Sequence, residues 1–345
     1  MPEQTSPTTG ILPTHEFVDG NVGPGCKKVD PIVIADGVTR QFGGNTAVDV
    51  QHLEIPRGKI TALIGPNGAG KTTMFNLLTG FDKPNTGTWS FDGTSLANVP
   101  AFKVARSGMV RTFQLTKSLG RMTVLDNMLL GADQQGGEGM LRALFKPLWR
   151  ERETEITAKA DELLARFKLD AKREDYAASL SGGQRKLLEM ARALMSSPKL
   201  IMLDEPMAGV NPALVQSLLG HVKELKNDGT TVLFVEHDMH MVTNISDWVV
   251  VMAEGQIVAE GPPETVMKDQ AVIDAYLGAH HDQDLGDLDI QELEVERIAE
   301  EEGVEAAAEY EAEVLGTTTI AEELVEAQRE TATETATETK ESDGK

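Results

Sequence analysis

Gly65-Pro66-Asn67-Gly68-Ala69-Gly70-Lys71-Thr72 follows the apolar run Lys59-Ile60-Thr61-Ala62-Leu63-Ile64 and precedes a helical pattern through Asn76-Leu77-Leu78. A buried strand, a glycine-rich turn and a helix start, in that order, are the setting of a phosphate-binding loop. Its glycines let backbone N–H groups turn inward around phosphate oxygens, and the helix N-terminus adds its partial positive charge. Lys71 supplies a point charge to terminal phosphates, and Thr72 supplies an oxygen to Mg²⁺. The helix starts at Lys71 and stops at Gly80, a residue type that favours helix ends.

A second strand, Leu200-Ile201-Met202-Leu203, ends on Asp204-Glu205. A carboxylate there sits at the mouth of the sheet, near a metal held by the loop. Glu205 follows directly and is the residue expected to activate an attacking water, which requires hydrogen-bond reach to that water. A third motif, Leu180-Ser181-Gly182-Gly183-Gln184, opens a helix running into Arg185-Lys186-Leu187-Leu188-Glu189. Serine is a good N-cap, and the glycines leave the helix start open to an anion.

Outward from these motifs the chain organises simply. Ile32-Val33-Ile34 and Ala47-Val48-Asp49-Val50 read as short strands around the turn Phe42-Gly43-Gly44-Asn45. Ala101 to Ala178 is mostly helical in pattern, with a polar break at Gln134-Gln135-Gly136-Gly137, and should form a lobe apart from the sheet. After Ser181 the order is helix, strand (200–203), helix (about 212–227) and strand (231–235), which argues for a parallel sheet covered by helices. Val249–Met252 and Gln256–Ala259 flank Ala253-Glu254-Gly255 as a hairpin.

Composition limits the function classes. The net charge of -23 is concentrated at one end: residues 281–345 hold 22 acidic and 4 basic residues, and the other 280 are nearly balanced at -5. No basic stripe suggests a nucleic-acid partner. No apolar run approaches the ~20 residues of a membrane helix. The first 30 residues lack the apolar stretch of a signal peptide. Residues 1–30, rich in Pro, Thr and Gly, read as a flexible leader, and 280–345 as an acidic, disordered tail. Four of the tail's aspartates, at 282, 284, 287 and 289, have a spacing that lacks the glycine of an EF-hand loop, so calcium is rejected. A regulatory contact between the tail and basic loops of a partner stays open.

With these motifs in this order, residues 31–279 resemble the ATP-binding-cassette (ABC) ATPases. The resemblance implies an α/β fold of the P-loop NTPase class, with a parallel-sheet core, a small antiparallel β subdomain and an α-helical subdomain. It implies ATP and Mg²⁺ as cofactors, with ATP held by Gly65, Pro66, Asn67, Gly68, Ala69, Gly70, Lys71, Thr72 and Thr73. Ser181, Gly182, Gly183 and Gln184 then complete the ATP site of a second subunit. Gln114 matches the glutamine that touches Mg²⁺ together with Thr72 and Asp204, and it links the nucleotide to the helical lobe. His237 matches the histidine that contacts the γ-phosphate and joins Glu205 and Gln114 as catalytic. Phe42 matches the aromatic that stacks on adenine.

Narrower features are Asn76-Leu77-Leu78-Thr79-Gly80-Phe81, Thr123-Val124-Leu125-Asp126-Asn127, Ala208-Gly209-Val210-Asn211-Pro212 and Ala275-Tyr276-Leu277-Gly278. They are similar to the ATPase subunits of branched-chain amino acid importers and of relatives that carry urea or short amides. Asn211 stands where most ABC ATPases have Asp, as in this subgroup. The resemblance implies a peripheral subunit on the cytoplasmic face of the membrane. Its partners would be a second ATPase chain (related or identical), two membrane permeases and, indirectly, a solute-binding protein. The competing readings are an envelope lipid or lipopolysaccharide exporter and a soluble non-transport cassette. Leu115–Leu119 falls where the membrane contact is expected. Leu141, Leu144, Phe145, Leu148 and Trp149 form either a packed helix or a docking surface.

Overall fold

The computed structural model describes residues 18–19, 21–96, 98–112, 119–132 and 147–278, of which 147–151, 212–213 and 277–278 are described in backbone only. They fall into two compact units, one up to Pro263 and one from Glu264 onward. The second unit holds the helix Gln270–Gly278. The first holds both β-sheets.

Its centre is a six-stranded sheet. β3 (Ile60–Ile64), β7 (Leu200–Asp204) and β8 (Thr231–Val235) are buried at every residue, as expected of near-continuous apolar runs covered on both faces. With β6 (Met109–Arg111), β9 (Trp248–Ala253) and β10 (Gln256–Gly261) they form the order β10-β9-β3-β8-β7-β6. All neighbours are parallel except β9 and β10. That last pair is the expected hairpin, turning on Glu254 and Gly255 at φ 49° and 81°. Two positive φ values give the turn a twist that matches the strands it joins.

A second, antiparallel sheet has the order β2 (Asn45–Pro56), β1 (Pro31–Phe42), β4 (Thr86–Phe91) and β5 (Thr94–Ser95). β1 and β2 are 12 residues each, longer than their apolar cores suggested. Their polar residues, such as Asp36 and Gln51, continue the strands on the exposed face. β4 and β5 turn on Asp92-Gly93. Helix α1 (Lys71–Leu78) packs between the two sheets. Its Met74, Phe75, Leu77 and Leu78 share one core with Val33, Val48 and Val50 of the antiparallel sheet and Leu63, Met202, Leu233 and Val250 of the parallel one.

The stretch 101–178 needs a correction. Helix α2 (Ala101–Arg106) leads into β6, which pairs with β7 at the sheet edge, so 101–111 is not part of a separate helical lobe. Three strand residues are too few to imprint a period on the sequence. Helices α3 (Val124–Leu129), α4 (Pro147–Arg166) and α5 (Gly182–Leu194) follow. α3 opens with a Thr123/Asp126 capping box. Fully buried Asn127 accepts from the Leu119 N–H at 2.8 Å and donates to the Thr123 carbonyl at 2.8 Å, fixing the entry to the helix. The readings of Leu115–Ser118 and of Leu141 to Phe145, and of the tail from 281, lie outside the described residues.

The flexible leader expected over 1–30 differs at its described end, residues 1–17 and 20 lying outside the described residues. Val18 and Lys28 form a bridge, and the Lys28 side chain is buried. Its ammonium lies 2.6 Å from the Glu260 carboxylate, with both side chains fully enclosed, and 4.6 Å above the Trp248 ring. Glu260 also accepts from the Trp248 indole at 2.9 Å and the Cys26 N–H at 2.8 Å. Composition marks the segment as loose, but one charge pair with no local pattern anchors its described end at Lys28 to β9 and β10. We predict that Lys28→Met, which strands the Glu260 charge, costs about 3 kcal/mol of stability. Lys28→Met with Glu260→Gln should recover most of that loss in urea unfolding. A double variant no more stable than Lys28→Met would contradict it.

Candidate functional site

Gly65–Gly70 caps the C-terminal end of β3 and delivers the chain into α1. Two backbones approach it so closely that side chains are excluded. A Cβ on Gly65 would stand 1.9 Å from the Met252 carbonyl oxygen, and one on Gly70 would stand 2.3 Å from that of Ala47. Gly70, at φ 98°, is the N-cap of α1, and no side chain caps the helix. The first N–H groups of α1 therefore face outward around an open cradle. Lys71 reaches back over the loop, donating to the carbonyls of Gly65 at 2.5 Å and Pro66 at 2.8 Å. Burial pushes the Lys71 ammonium below the usual lysine range, while the Glu205 and Asp204 carboxylates work against that shift. The loop lysine and the two carboxylates thus share one electrostatic neighbourhood. Thr72 is exposed at the start of α1, with Thr73 beside it half-buried.

Asp204 is buried at the end of β7. Arg111, from β6, donates to its Oδ2 at 2.5 Å and to the Asn76 Oδ1 of α1 at 2.6 Å. Arg111 therefore ties the metal candidate to the phosphate-loop helix. Glu205 is half-buried and has φ 46°, a left-handed conformation that costs a non-glycine residue energy. Its N–H is held by the Val235 carbonyl at 3.0 Å.

Ser181 caps α5 reciprocally. Its Oγ accepts from the Gln184 N–H at 3.2 Å, and Gln184 Oε1 accepts from the Ser181 N–H at 3.0 Å. The two glycines differ in purpose. Gly182 has open space where a Cβ would be, while a Cβ on Gly183 would meet Leu214 Cδ2 at 1.9 Å. Gly182 thus leaves an approach to the helix N-terminus, and Gly183 lets α5 pack closely on the helix α6 (Pro212–Asn227).

His237 follows β8 with a side chain 69% exposed, and its Nδ1 is 3.7 Å from Glu236. Phe42, at the end of β1, is half-exposed, with the Arg40 guanidinium 4.4 Å from its ring centroid. Gln114 lies outside the described residues. The structure brings together Gly65–Thr72, Asp204 and Glu205, linked through Lys71 and Arg111. It leaves Phe42, at the end of a strand, and His237, just after one, exposed to solvent. Arg111 belongs to no motif, and a lone basic residue three positions before Gln114 gives no sign of the carboxylate it meets 93 positions away. Glu236, buried and raised above the ordinary carboxylate range by that burial, accepts from the Met207 N–H at 3.0 Å and was likewise unread.

The cradle fits a nucleotide's phosphates: an uncapped helix start, backbone with no room for side chains at Gly65 and Gly70, and a lysine turned onto it. Among the described residues no cluster of three or more His, Cys, Asp or Glu could hold a metal by itself. The hydroxyl of Thr72 and the carboxylate of Asp204 are hard oxygen donors of the kind that bind Mg²⁺ together with phosphates.

Residues 48–208 match the ABC transporter family, and residues 256–282 match the branched-chain amino acid ATP-binding cassette transporter family. A probable branched-chain amino acid transport ATP-binding protein of Archaeoglobus fulgidus is 41% identical over 248 residues, which is 72% of this chain and 96% of that protein. High-affinity branched-chain amino acid transport ATP-binding proteins of Pseudomonas aeruginosa and Escherichia coli are 40% and 41% identical, over 72% of this chain and 98% of each. Among solved structures, a nucleotide-free ATP-binding cassette of an ABC transporter is 39% identical with a TM-score of 0.62, covering 71% of this chain and 98% of its own. A cassette in its ADP conformation is 40% identical with a TM-score of 0.63, covering 72% and 99%.

Gly70→Ala tests the cradle. At φ 98° and against the Ala47 carbonyl, the methyl group forces the loop to move. We predict a loss of roughly 1–3 kcal/mol of stability. The stabilisation that added nucleotide gives the wild type in thermal unfolding should also vanish. An unchanged nucleotide shift would show that the loop tolerates a side chain there.

Proposed function

The chain belongs to the ABC transporter family, as an ATP-hydrolysing subunit, and on that premise we propose that it drives the import of branched-chain amino acids. The observation that carries the proposal is the meeting of the phosphate loop, Asp204 and Glu205 in one body, in a chain about 40% identical to named branched-chain amino acid transport subunits across nearly their whole length. The same likeness favours these solutes over urea, amides or an exported lipid. Residues 31–279 act as the ATPase domain, between a leader and an acidic tail.

In this reading ATP lies with its phosphates on the N–H groups of Gly65–Thr73 and its terminal phosphates against Lys71. Thr72, Asp204 and Gln114 would hold Mg²⁺, which would offset phosphate charge there. Arg111 keeps Asp204 oriented. Glu205 takes a proton from the attacking water, and its left-handed backbone fixes the direction of its carboxylate. His237 turns inward to the γ-phosphate, and Phe42 carries the adenine. The open side of Gly182, with Ser181, Gly183 and Gln184, meets the ATP held by a second ATPase subunit, so ATP glues the pair closed and hydrolysis releases it. Among the described residues no helix is long and apolar enough to cross a membrane. The work of closure therefore passes to two permease subunits from the cytoplasmic face, with a solute-binding protein delivering the amino acid outside.

The role of Glu205 is tested directly. Glu205→Gln should bind ATP as the wild type does and lose at least about 10²-fold in turnover, the usual contribution of a positioned base. Steady-state hydrolysis at the wild-type rate would remove Glu205 from the mechanism.

A further inference from the structure

Helix α5 carries a lysine that neither motif accounts for. Lys186 stands four positions after Gly182 and three after Gly183, on the helix face that carries both glycines. Its ammonium points into the loop that follows Glu205. It donates to the carbonyls of Ala208 at 2.5 Å, Pro206 at 3.0 Å and Glu205 at 3.4 Å. Three donors on one ammonium suit three carbonyls converging from a tight turn. The same loop is fixed on its other side by N–H bonds, from Glu205 to the Val235 carbonyl and from Met207 to the Glu236 carboxylate. Glu205 itself is at φ 46°. A non-glycine residue stays in that region only where its surroundings over-determine it, and Lys186 is one of the contacts α5 offers that loop.

We infer that Lys186 is a positioning residue that couples the 181–184 motif to Glu205. The two ends of this connection serve different ATP molecules. On the proposed reading, on which this inference rests, Ser181–Gln184 meets the partner's ATP while Glu205 acts on the chain's own. A shift of α5 as the motif engages moves the Lys186 ammonium, and with it the carbonyls that hold Glu205 in its left-handed conformation. Each site thereby informs the other through a rigid helix and one side chain. The lysine's charge state agrees with this placement. Burial lowers the Lys186 ammonium, whereas Glu236, Glu189 and Glu205 counter that effect. The ammonium thus lies in the electrostatic reach of the base it positions.

The full-length chain would be assayed for ATP binding and turnover as wild type, Lys186→Met, Lys186→Arg and Glu205→Gln. We expect Lys186→Met to lower kcat by about tenfold or more with little change in KM, the pattern of an interaction needed in the transition state. Its thermal midpoint should stay near wild type, and Lys186→Arg, which keeps charge and donors, should restore most of the rate. A folded Lys186→Met with wild-type kcat overturns the inference, and so does a raised KM at unchanged kcat. If Lys186→Met does not fold, Lys186→Gln decides on the same terms. Normal turnover by Glu205→Gln is a separate outcome: it overturns the reading of Glu205 and removes the target that Lys186 is inferred to position.

Discussion

The phosphate loop has almost no side chains with which to hold its own shape, and the backbone of both sheets holds it instead. Met252 of β9 closes on Gly65, and Ala47 of β2 closes on Gly70. Gly255, in the β9–β10 turn, donates to the Ala69 carbonyl at 3.1 Å and accepts from the Asp49 N–H at 2.8 Å. The antiparallel sheet and the parallel sheet thus meet around the loop. Each contact requires a strand at a definite register, so the cradle exists only when the whole body is folded. The buried Lys28–Glu260 pair extends the same logic, since Glu260 lies on the strand that the turn begins.

A second junction lies one strand away. Asp204 is tied to α1 by Arg111, and the loop after Glu205 is tied to α5 by Lys186 and to the end of β8 by Glu236. These are buried or half-buried charge-assisted bonds, stronger than neutral ones. They bind three motifs that are distant in sequence into one mechanical unit. The strain at Glu205 is affordable because that unit surrounds it. On the proposed reading, in which the start of α5 meets a second subunit, chemistry and communication draw on the same few bonds.

Much of this was legible in the sequence, and the reasons are physical. Central parallel strands are buried on both faces, so 60–64, 200–204 and 231–235 appear as unbroken apolar runs. Glycine is demanded where backbones touch, so the loop motif is a direct record of close approach. Helix 212–227 and the hairpin on Glu254-Gly255 likewise have local causes. What the sequence hid has long-range causes. β6 is three residues long and is a strand because β7 offers it an edge. Lys28, Arg111, Lys186 and Glu236 take their importance from partners that only the fold supplies. The polar residues of β1 and β2 masked strands whose exposed face needs no apolar side chains.

The claim at the centre of this account is that ATP turnover at Glu205 powers the uptake of branched-chain amino acids. Uptake of radiolabelled leucine by cells that depend on this chain as their only such ATPase, comparing wild type with Glu205→Gln at equal protein levels, tests it most directly. The account predicts that leucine uptake collapses in the variant. Undiminished uptake in those cells would contradict it.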